Sequence, residues 1–313
     1  MTKMTEFTFL STDGRTQLHG MLWEPEEVPI RAVLQVCHGV AEHIARYDGF
    51  ARALNEQGIV VAGHDHLGHG KSLPEGGTPV YFGEGNTWNT VVDDIYVLHQ
   101  RLKQRYPDVP LCIMGHSMGS FLTRTYLIRY PGTVKAAVIM GTGWQPRAAI
   151  TGGLALANAI AAVSGENATS ELVTELAFGS YNKLFAPNRT KVDWLSADES
   201  NVDDYIADPL CGADATVGLF RQMLHGIRFN QRQSHLRQMD REMPVLFVAG
   251  DKDPVGNCGK GVRQTYDAFR AAGMRDCTLK LYPGLRHEIL NEKAYTADIT
   301  KDIEAWLLSR LEK

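Results

Sequence analysis

The stretch Leu111–Tyr130, LCIMGHSMGSFLTRTYLIRY, runs from a short apolar strand-like segment through a glycine-flanked serine into a helical pattern that ends before Pro131. At its centre Gly115-His116-Ser117-Met118-Gly119 is a G-x-S-x-G pentapeptide, with a strand before it and a helix after it, the setting a nucleophile elbow requires. The serine of such an elbow stands on a strained turn. Glycines two positions to either side relieve the crowding, and the free N–H groups at the helix start point toward developing negative charge. Ser117 is therefore the candidate nucleophile.

A serine hydroxyl needs a histidine to take its proton and a carboxylate to fix that histidine's tautomer. Working outward, VLFVAGDKDPVG (Val245–Gly256) puts Asp251 and Asp253 in the loop after a late strand, and LKLYPGLRHEILNE (Leu279–Glu292) puts His287 after the last one. Serine, aspartate, histidine is the chain order of the α/β-hydrolase arrangement and differs from both protease orders. At this level either aspartate could be the acid.

The rest of the chain supplies the frame. TEFTFLS and TQLHGMLWEP flank TDGR, whose Asp13-Gly14 pair suits a tight two-residue hairpin turn. The short apolar runs AVLQVC, IVVA, LCIM, AAVIM, VLFVA and CTLKLY follow, of the kind buried on both faces of a parallel sheet. Helical stripes separate them: Val91, Ile95, Leu98, Leu102, then Val262, Tyr266, Phe269, and a closing Ile299, Ile303, Trp306, Leu311. Strands alternating with helices predict a mostly parallel central sheet covered on both faces, with ligands bound beyond the carboxyl ends of the strands. The alternation breaks between Met140 and Val245, a gap far longer than an ordinary loop. An inserted helical lid fills that gap, giving a first core part at 1–143, a cap at 144–240 and a second core part at 241–313. Within it ITGGLALANAIAAVSG (Ile150–Gly165) reads as a lid helix, too short and too interrupted by Gly and Asn to span a bilayer.

Composition narrows the function classes. The 313 residues carry 44% hydrophobic side chains, ample for a large core, and 32 basic against 36 acidic groups leave a net charge of −4 with no basic block for a nucleic acid. The opening MTKMTEFTFLSTDG lacks the apolar region of a signal peptide, and no apolar run reaches membrane-span length. The expectation is a soluble cytoplasmic protein, peripheral to the membrane at most. Cys37, Cys112, Cys211, Cys258 and Cys277 are scattered without C-x-x-C spacing, which excludes a zinc or redox motif of that kind.

With these residues in place, the sequence resembles the serine α/β-hydrolases of the monoacylglycerol lipase and lysophospholipase group. The matching stretches are CHGVAEHIARY (Cys37–Tyr47), HDHLGHGKS (His64–Ser72), GHSMG, GDKD and RHE, and the likeness covers nearly everything but the lid. The resemblance implies that Asp253 rather than Asp251 is the acid. It also implies that the backbone N–H groups of Val40 and Met118 form the oxyanion hole, and that Glu42 and Arg46 contribute to the polar end of the substrate site; an ion pair bracing the loop is the alternative for the last two. The animal enzymes of the group have a second histidine three residues after the catalytic one, where this chain has Leu290.

VVAGHDHLGHGKS (Val60–Ser72) offers a rival chemistry, because His64, His66 and His69 have spacing reminiscent of metallohydrolase ligands. A metal site beside a serine triad would duplicate the nucleophile, so the three histidines are expected to be structural, with no metal and no cofactor. The expected activity is hydrolysis of monoacylglycerols or similar single-chain lipid esters through an acyl-enzyme, with transient membrane-surface contact through the cap and no nucleic-acid partner. Lysophospholipids, small esters or thioesters are the alternatives within the fold. A metal-dependent hydrolase and a non-catalytic lipid carrier are the alternatives outside it.

Overall fold

The computed structural model describes residues 1–311. Its strands are β1 (Thr2–Leu10), β2 (Gln17–Pro25), β3 (Ala32–Cys37), β4 (Ile59–His64), β5 (Leu111–His116), β6 (Ala137–Met140), β7 (Val245–Gly250) and β8 (Cys277–Tyr282). They form one sheet in the order β1-β2-β4-β3-β5-β6-β7-β8. β2 runs antiparallel to both β1 and β4, and every other pairing is parallel. The longer helices are α1 (Asp48–Asn55), α2 (Thr87–Arg105), α3 (Met118–Arg129), α4 (Arg147–Ser164), α5 (Glu199–Ala207), α6 (Val217–Asn230), α7 (Lys260–Ala272) and α8 (Thr296–Leu311).

Strand periodicity divides the core in two. Val33, Val60, Ile113 and Phe247 meet Val91, Ile95, Leu122 and Phe269 of α2, α3 and α7 on one face. Their neighbours Leu34, Val61, Met114 and Leu246 meet Phe50, Leu54, Ile299, Ile303 and Leu307 of α1 and α8 on the other. Consecutive strand residues point to opposite faces, so apolar runs without polar alternation are what a doubly covered sheet demands. The mostly parallel α/β-hydrolase sheet expected from the sequence is the sheet observed.

Two local expectations need correction. The β1–β2 connection is not a two-residue turn: Leu10 pairs with Gln17, and the loop Ser11–Thr16 has a positive φ only at Gly14 (+76°). Asp13 instead accepts from the N–H groups of Arg15 and Thr16, both at 2.8 Å. Buried Asp94 takes the Ser11 hydroxyl at 2.8 Å and the Thr12 N–H at 2.6 Å, so tertiary anchoring overrode the local turn chemistry. CTLKLY, read as buried on both faces, is the edge strand β8, where only Tyr282 is buried.

Topology then fixes where chemistry can occur. From β3 the chain moves outward to β4, then returns to β5 on the other side of β3. That reversal opens a crevice at the carboxyl ends of β3 and β5. Cys37, the last residue of β3, lies opposite Gly115 of β5. The loops that follow, one starting at His38 and one holding Ser117, therefore emerge side by side.

The inserted segment between β6 and β7 covers that crevice. α4 starts at Arg147, three residues before the expected stretch, and ends at Gly165, whose φ of +88° stops it. Only Ile150, Leu154 and Ala157 of its side chains are buried. It is the one described helix long and apolar enough, by length and composition alone, to cross a membrane. α6 is more deeply set, with Thr216 Oγ capping the Leu219 N–H at 3.2 Å. A Cβ at Gly226 would collide with the Trp88 indole of α2, so the glycine is what lets cap and core close together.

Candidate active site

Ser117 sits between β5 and α3 with φ 55° and ψ −122°. An L-residue held there is strained by roughly 1–2 kcal/mol, and the surroundings impose it. The Ser117 N–H donates to the Met140 carbonyl at 3.0 Å. A Cβ on Gly115 would strike the Gly119 carbonyl and Thr123 Oγ, and one on Gly119 would strike the Cys37 and His38 carbonyls. Both glycines are thus required by backbone approach, and Met118 begins the helix directly beneath the hydroxyl.

His287 Nδ1 lies 3.0 Å from Asp253 Oδ2, with both side chains buried. The other Asp253 oxygen accepts the Val255 N–H at 2.9 Å, which locks the carboxylate. Asp251 faces away and accepts from Gly284 N–H at 2.8 Å. Geometry therefore brings Asp253, not Asp251, to the histidine. The His287 ring rests against Trp194 of the cap, 5.1 Å between centroids, and against His116 at 4.7 Å. His287 and Ser117 line one cavity of about 220 Å³. No direct hydrogen bond joins them among the described residues, as is common before a substrate tightens the contact.

The loop after β3 is held from two sides. From within, Glu42 Oε1 accepts the Gly39 N–H at 2.5 Å and the Tyr47 hydroxyl at 3.1 Å, and lies 3.1 Å from His116 Nδ1. Burial alone would raise the Glu42 carboxyl. The His116 hydrogen bond and charge, helped by Arg46, outweigh burial and hold it well below the usual range. His116 is raised in turn: burial opposes its charge, and the Glu42 contact overcomes that. From outside, the cap clamps Ala41, whose φ is +53°. Its carbonyl accepts the Tyr205 hydroxyl at 2.9 Å and the Gly212 N–H at 3.0 Å. His43 Nε2 meets Asp208 of the cap at 2.8 Å. Between these anchors the Val40 N–H has no internal partner among the described residues, and neither does that of Met118.

Comparison with known proteins fits this geometry. Residues 28–294 match the family described as serine aminopeptidase, S33. The chain belongs to this family. A monoacylglycerol lipase from Mycolicibacterium smegmatis is 32% identical over 312 residues, covering 98% of each chain. A monoglyceride lipase of Mus musculus is 28% identical, covering 96% of this chain and 90% of its own. A thermostable carboxyl esterase from Bacillus coagulans, crystallised with glycerol, superposes with a TM-score of 0.91 at 26% identity, covering 98% of this chain and 99% of that one.

In this S33 hydrolase Glu42 and Arg46 contact each other at 3.1 Å. Arg46 also grips Glu288 through two bonds of 2.7 and 2.8 Å, and Asn201 of the cap donates to Glu288 at 2.9 Å. Every Glu42 oxygen is thus taken by protein, which favours the bracing reading of this pair. Glu288, Asn201, Tyr205 and Asp208 escaped the sequence reading. For Glu288 a signal existed, an acid directly after the histidine in RHE; for the three cap residues none did. Leu290 is buried in the apolar cluster beneath α8, so this position serves the core.

His64, His66 and His69 are all buried, but their ring nitrogens do not converge. His64 and His66 meet edge to face, 5.1 Å between centroids at 89°, and His69 Nδ1 is used on the Leu67 carbonyl at 2.9 Å. The fixed point of the turn is Asp65, which takes the N–H groups of Ile44 at 2.8 Å and Lys71 at 2.9 Å together with His19 Nδ1 at 2.9 Å. Both ring nitrogens of His64 and of His66, and Nε2 of His69, are buried with no hydrogen-bond partner among the described residues.

Their burial makes acid the weak side of the fold. Desolvation lowers His64 and His69 from 6.5 to about 3. The folded state refuses a proton that the unfolded chain accepts, so this stability is present above 6.5 and is lost as pH falls toward 3. By about pH 5 the two groups together cost on the order of 4 kcal/mol. Asp94, raised by burial to about 6, and His19 and His116, raised by their contacts with Asp65 and Glu42, act the other way, while His66 and His99, lowered by burial, add to the loss. The buried neutral histidines win. Urea midpoints measured at about pH 7.5 and 5 should drop steeply in acid, and a flat profile would contradict the buried neutral rings.

Proposed function

We propose that this chain is a serine carboxylester hydrolase that cleaves monoacylglycerols or similar single-chain lipid esters through an acyl-enzyme. The observation that carries the substrate class is a cavity of about 450 Å³ running from Ser117 under α4 and α6. Its wall includes Phe121, Ile150, Leu156, Phe220, Leu224 and Ile227, and no charged side chain. One acyl chain fits such a space, and each buried methylene contributes roughly 0.8 kcal/mol. The smaller cavity on the other side of Ser117 would take the head group. Lys191 lines it together with Asp214, Glu42 and Glu288, an excess of acid that favours a neutral polyol over the phosphate of a lysophospholipid.

In the mechanism this supports, Ser117 Oγ attacks the ester carbonyl while His287 Nε2 takes its proton. Asp253 holds the imidazole in the tautomer that leaves Nε2 free. The Val40 and Met118 N–H groups receive the oxyanion, and collapse expels the alcohol with the proton from His287. Water then repeats the cycle on the acyl-enzyme. No cofactor takes part.

We also infer transient contact of the cap with a membrane surface. Val163, Leu172 and Leu184 of the cap are exposed, the first at 88%, and exposed Arg147, Arg228 and Arg232 cluster at the N-terminal end of α4. A cytoplasmic location accords with five unpaired thiols. The test is an ester panel varying acyl length and head group, run on the native protein and on Ser117→Ala, with substrate presented both free and on anionic vesicles. Specificity (kcat/KM) should rise by up to about fourfold per methylene, monoacylglycerols should exceed lysophospholipids, and vesicles should speed turnover. Preference for charged heads or short acyl groups would overturn the substrate reading; indifference to vesicles would overturn the surface contact.

The cap clamp gives a separate expectation. Tyr205→Phe deletes one hydrogen bond to Ala41, worth about 1 kcal/mol. If that bond holds Val40 in place, kcat should fall about fivefold with KM little changed. A rise in KM alone would make Tyr205 a substrate contact instead.

A further inference from the structure

We propose that His43, Asp208 and Cys211 form an inhibitory binding site for a zinc-like divalent cation, joining the cap to the loop that carries Val40. These three are the one group of histidine, cysteine and acid ligand atoms, among the described residues, that all lie within 4.8 Å of one another. They come from two separate parts of the chain: His43 from the loop after β3, and the other two from the cap turn after α5. Nitrogen, carboxylate and thiolate are the donors a borderline-soft ion such as Zn²⁺ selects, at about 2.0–2.3 Å each, with water free to complete a tetrahedron. The mixed set distinguishes this place from an ordinary acidic patch.

Charge and access favour a cation. Burial acts most strongly on the Cys211 thiol and keeps it protonated until a metal displaces the proton; Arg46 opposes burial, and Asp208, Glu42 and Glu288 act with it. Arg46 and His116 are already engaged by Glu42 and Glu288, and Asp208 stands beside the thiol, so a cation meets a carboxylate before the thiol ionises. Cys211 is unpaired and half-buried, reachable from solvent. Binding is balanced by release of the Cys211 thiol proton to solvent and a shift of the His43 proton to Nδ1, leaving Nε2 to ligate the ion. Aspartate and thiolate then neutralise the two positive charges.

Inhibition follows from geometry. His43 Nε2 and Asp208 Oδ2 stand 2.8 Å apart as a hydrogen-bonded pair. Two ligands of one tetrahedral zinc sit about 3.3 Å apart, so the ion must spread the pair. His43 is three residues from Val40, whose N–H receives the oxyanion in the proposed mechanism. This consequence rests on that mechanism; the binding itself does not.

The test uses the full-length protein freed of metal with EDTA, titrated with Zn²⁺ and, as a spectroscopic probe, Co²⁺. One equivalent of Co²⁺ should give the intense visible bands of a tetrahedral thiolate site. Cys211→Ser should abolish those bands, and zinc affinity should fall at least tenfold in Cys211→Ser and His43→Gln, since even outer-shell partners of a metal are worth roughly 10–100-fold. Circular dichroism and melting temperature confirm that each variant is folded. Zinc should lower kcat several-fold in the native protein with KM nearly unchanged, EDTA should restore it, and Cys211→Ser should turn over normally with or without zinc. Absence of stoichiometric binding, zinc affinity unchanged in the folded variants, equal inhibition of Cys211→Ser, or binding that leaves kcat untouched would each overturn the proposal. The cobalt bands need no substrate, so they stand or fall independently of the ester reading.

Discussion

Replacing Ser117 by alanine is expected to abolish covalent labelling by a fluorophosphonate probe and to lower kcat by on the order of 10⁶. That loss corresponds to about 8 kcal/mol of barrier, more than any hydrogen bond or packing change in the site could supply. The size reflects cooperation: without the hydroxyl, His287 and Asp253 have nothing to activate, and only the oxyanion donors and the cavity remain. The fold should survive, because alanine meets the same strain at φ 55° and fills no new space. Labelling that persists in the folded variant would place the nucleophile elsewhere in the chain.

The second large effect separates two aspartates that lie two residues apart. Asp253→Asn should lower kcat by roughly 10⁴, because an amide facing His287 Nδ1 stabilises the wrong tautomer. The buried position still accepts the Val255 N–H, so stability should change little. Asp251→Asn should act far more weakly: its carboxylate supports the Gly284 N–H at 2.8 Å, a turn contact that an asparagine oxygen can keep. Matched kcat measurements on the two variants decide the matter. A reversed ranking would shift the acid by two residues and require the loop after β7 to be rebuilt.

These expectations rest on parts of the chain where sequence is eloquent. Strands such as Val245–Gly250 and the elbow at Ser117 are written in local patterns, since burial on both faces needs an unbroken apolar run and the sharp turn needs its two glycines. Serine, aspartate and histidine each follow a strand, and a parallel sheet gathers strand ends at one edge, so their approach was legible too. The contacts of the cap were not. His43 and Asp208 are 165 residues apart, and nothing local in DDYIADPLCG says that its polar groups will reach back to the loop after β3. The turn Ser11–Thr16 failed for a related reason: its conformation is set by Asp94, far along the chain. Glu42 and Arg46 show a third limit. The sequence left two readings open, a substrate contact and an ion pair bracing the loop, and the bonds to His116 and Glu288 favour the second.

The two bonds that the cap makes to the Ala41 carbonyl bear on how a substrate gets in. A lid hinged as a single door would, on opening, let go of Ala41 and disorganise the catalytic frame each time it admitted a molecule. Here the stretch from Tyr205 to Gly212 is the doorpost, bonded to the frame, and α4, which buries only Ile150, Leu154 and Ala157, is the less firmly held leaf. Traffic should therefore pass on the α4 side. An engineer grafting a relative's lid onto this chain would have to leave the doorpost in place, exchanging the leaf alone, or accept a well-folded enzyme whose chemistry had been uncoupled from its gate.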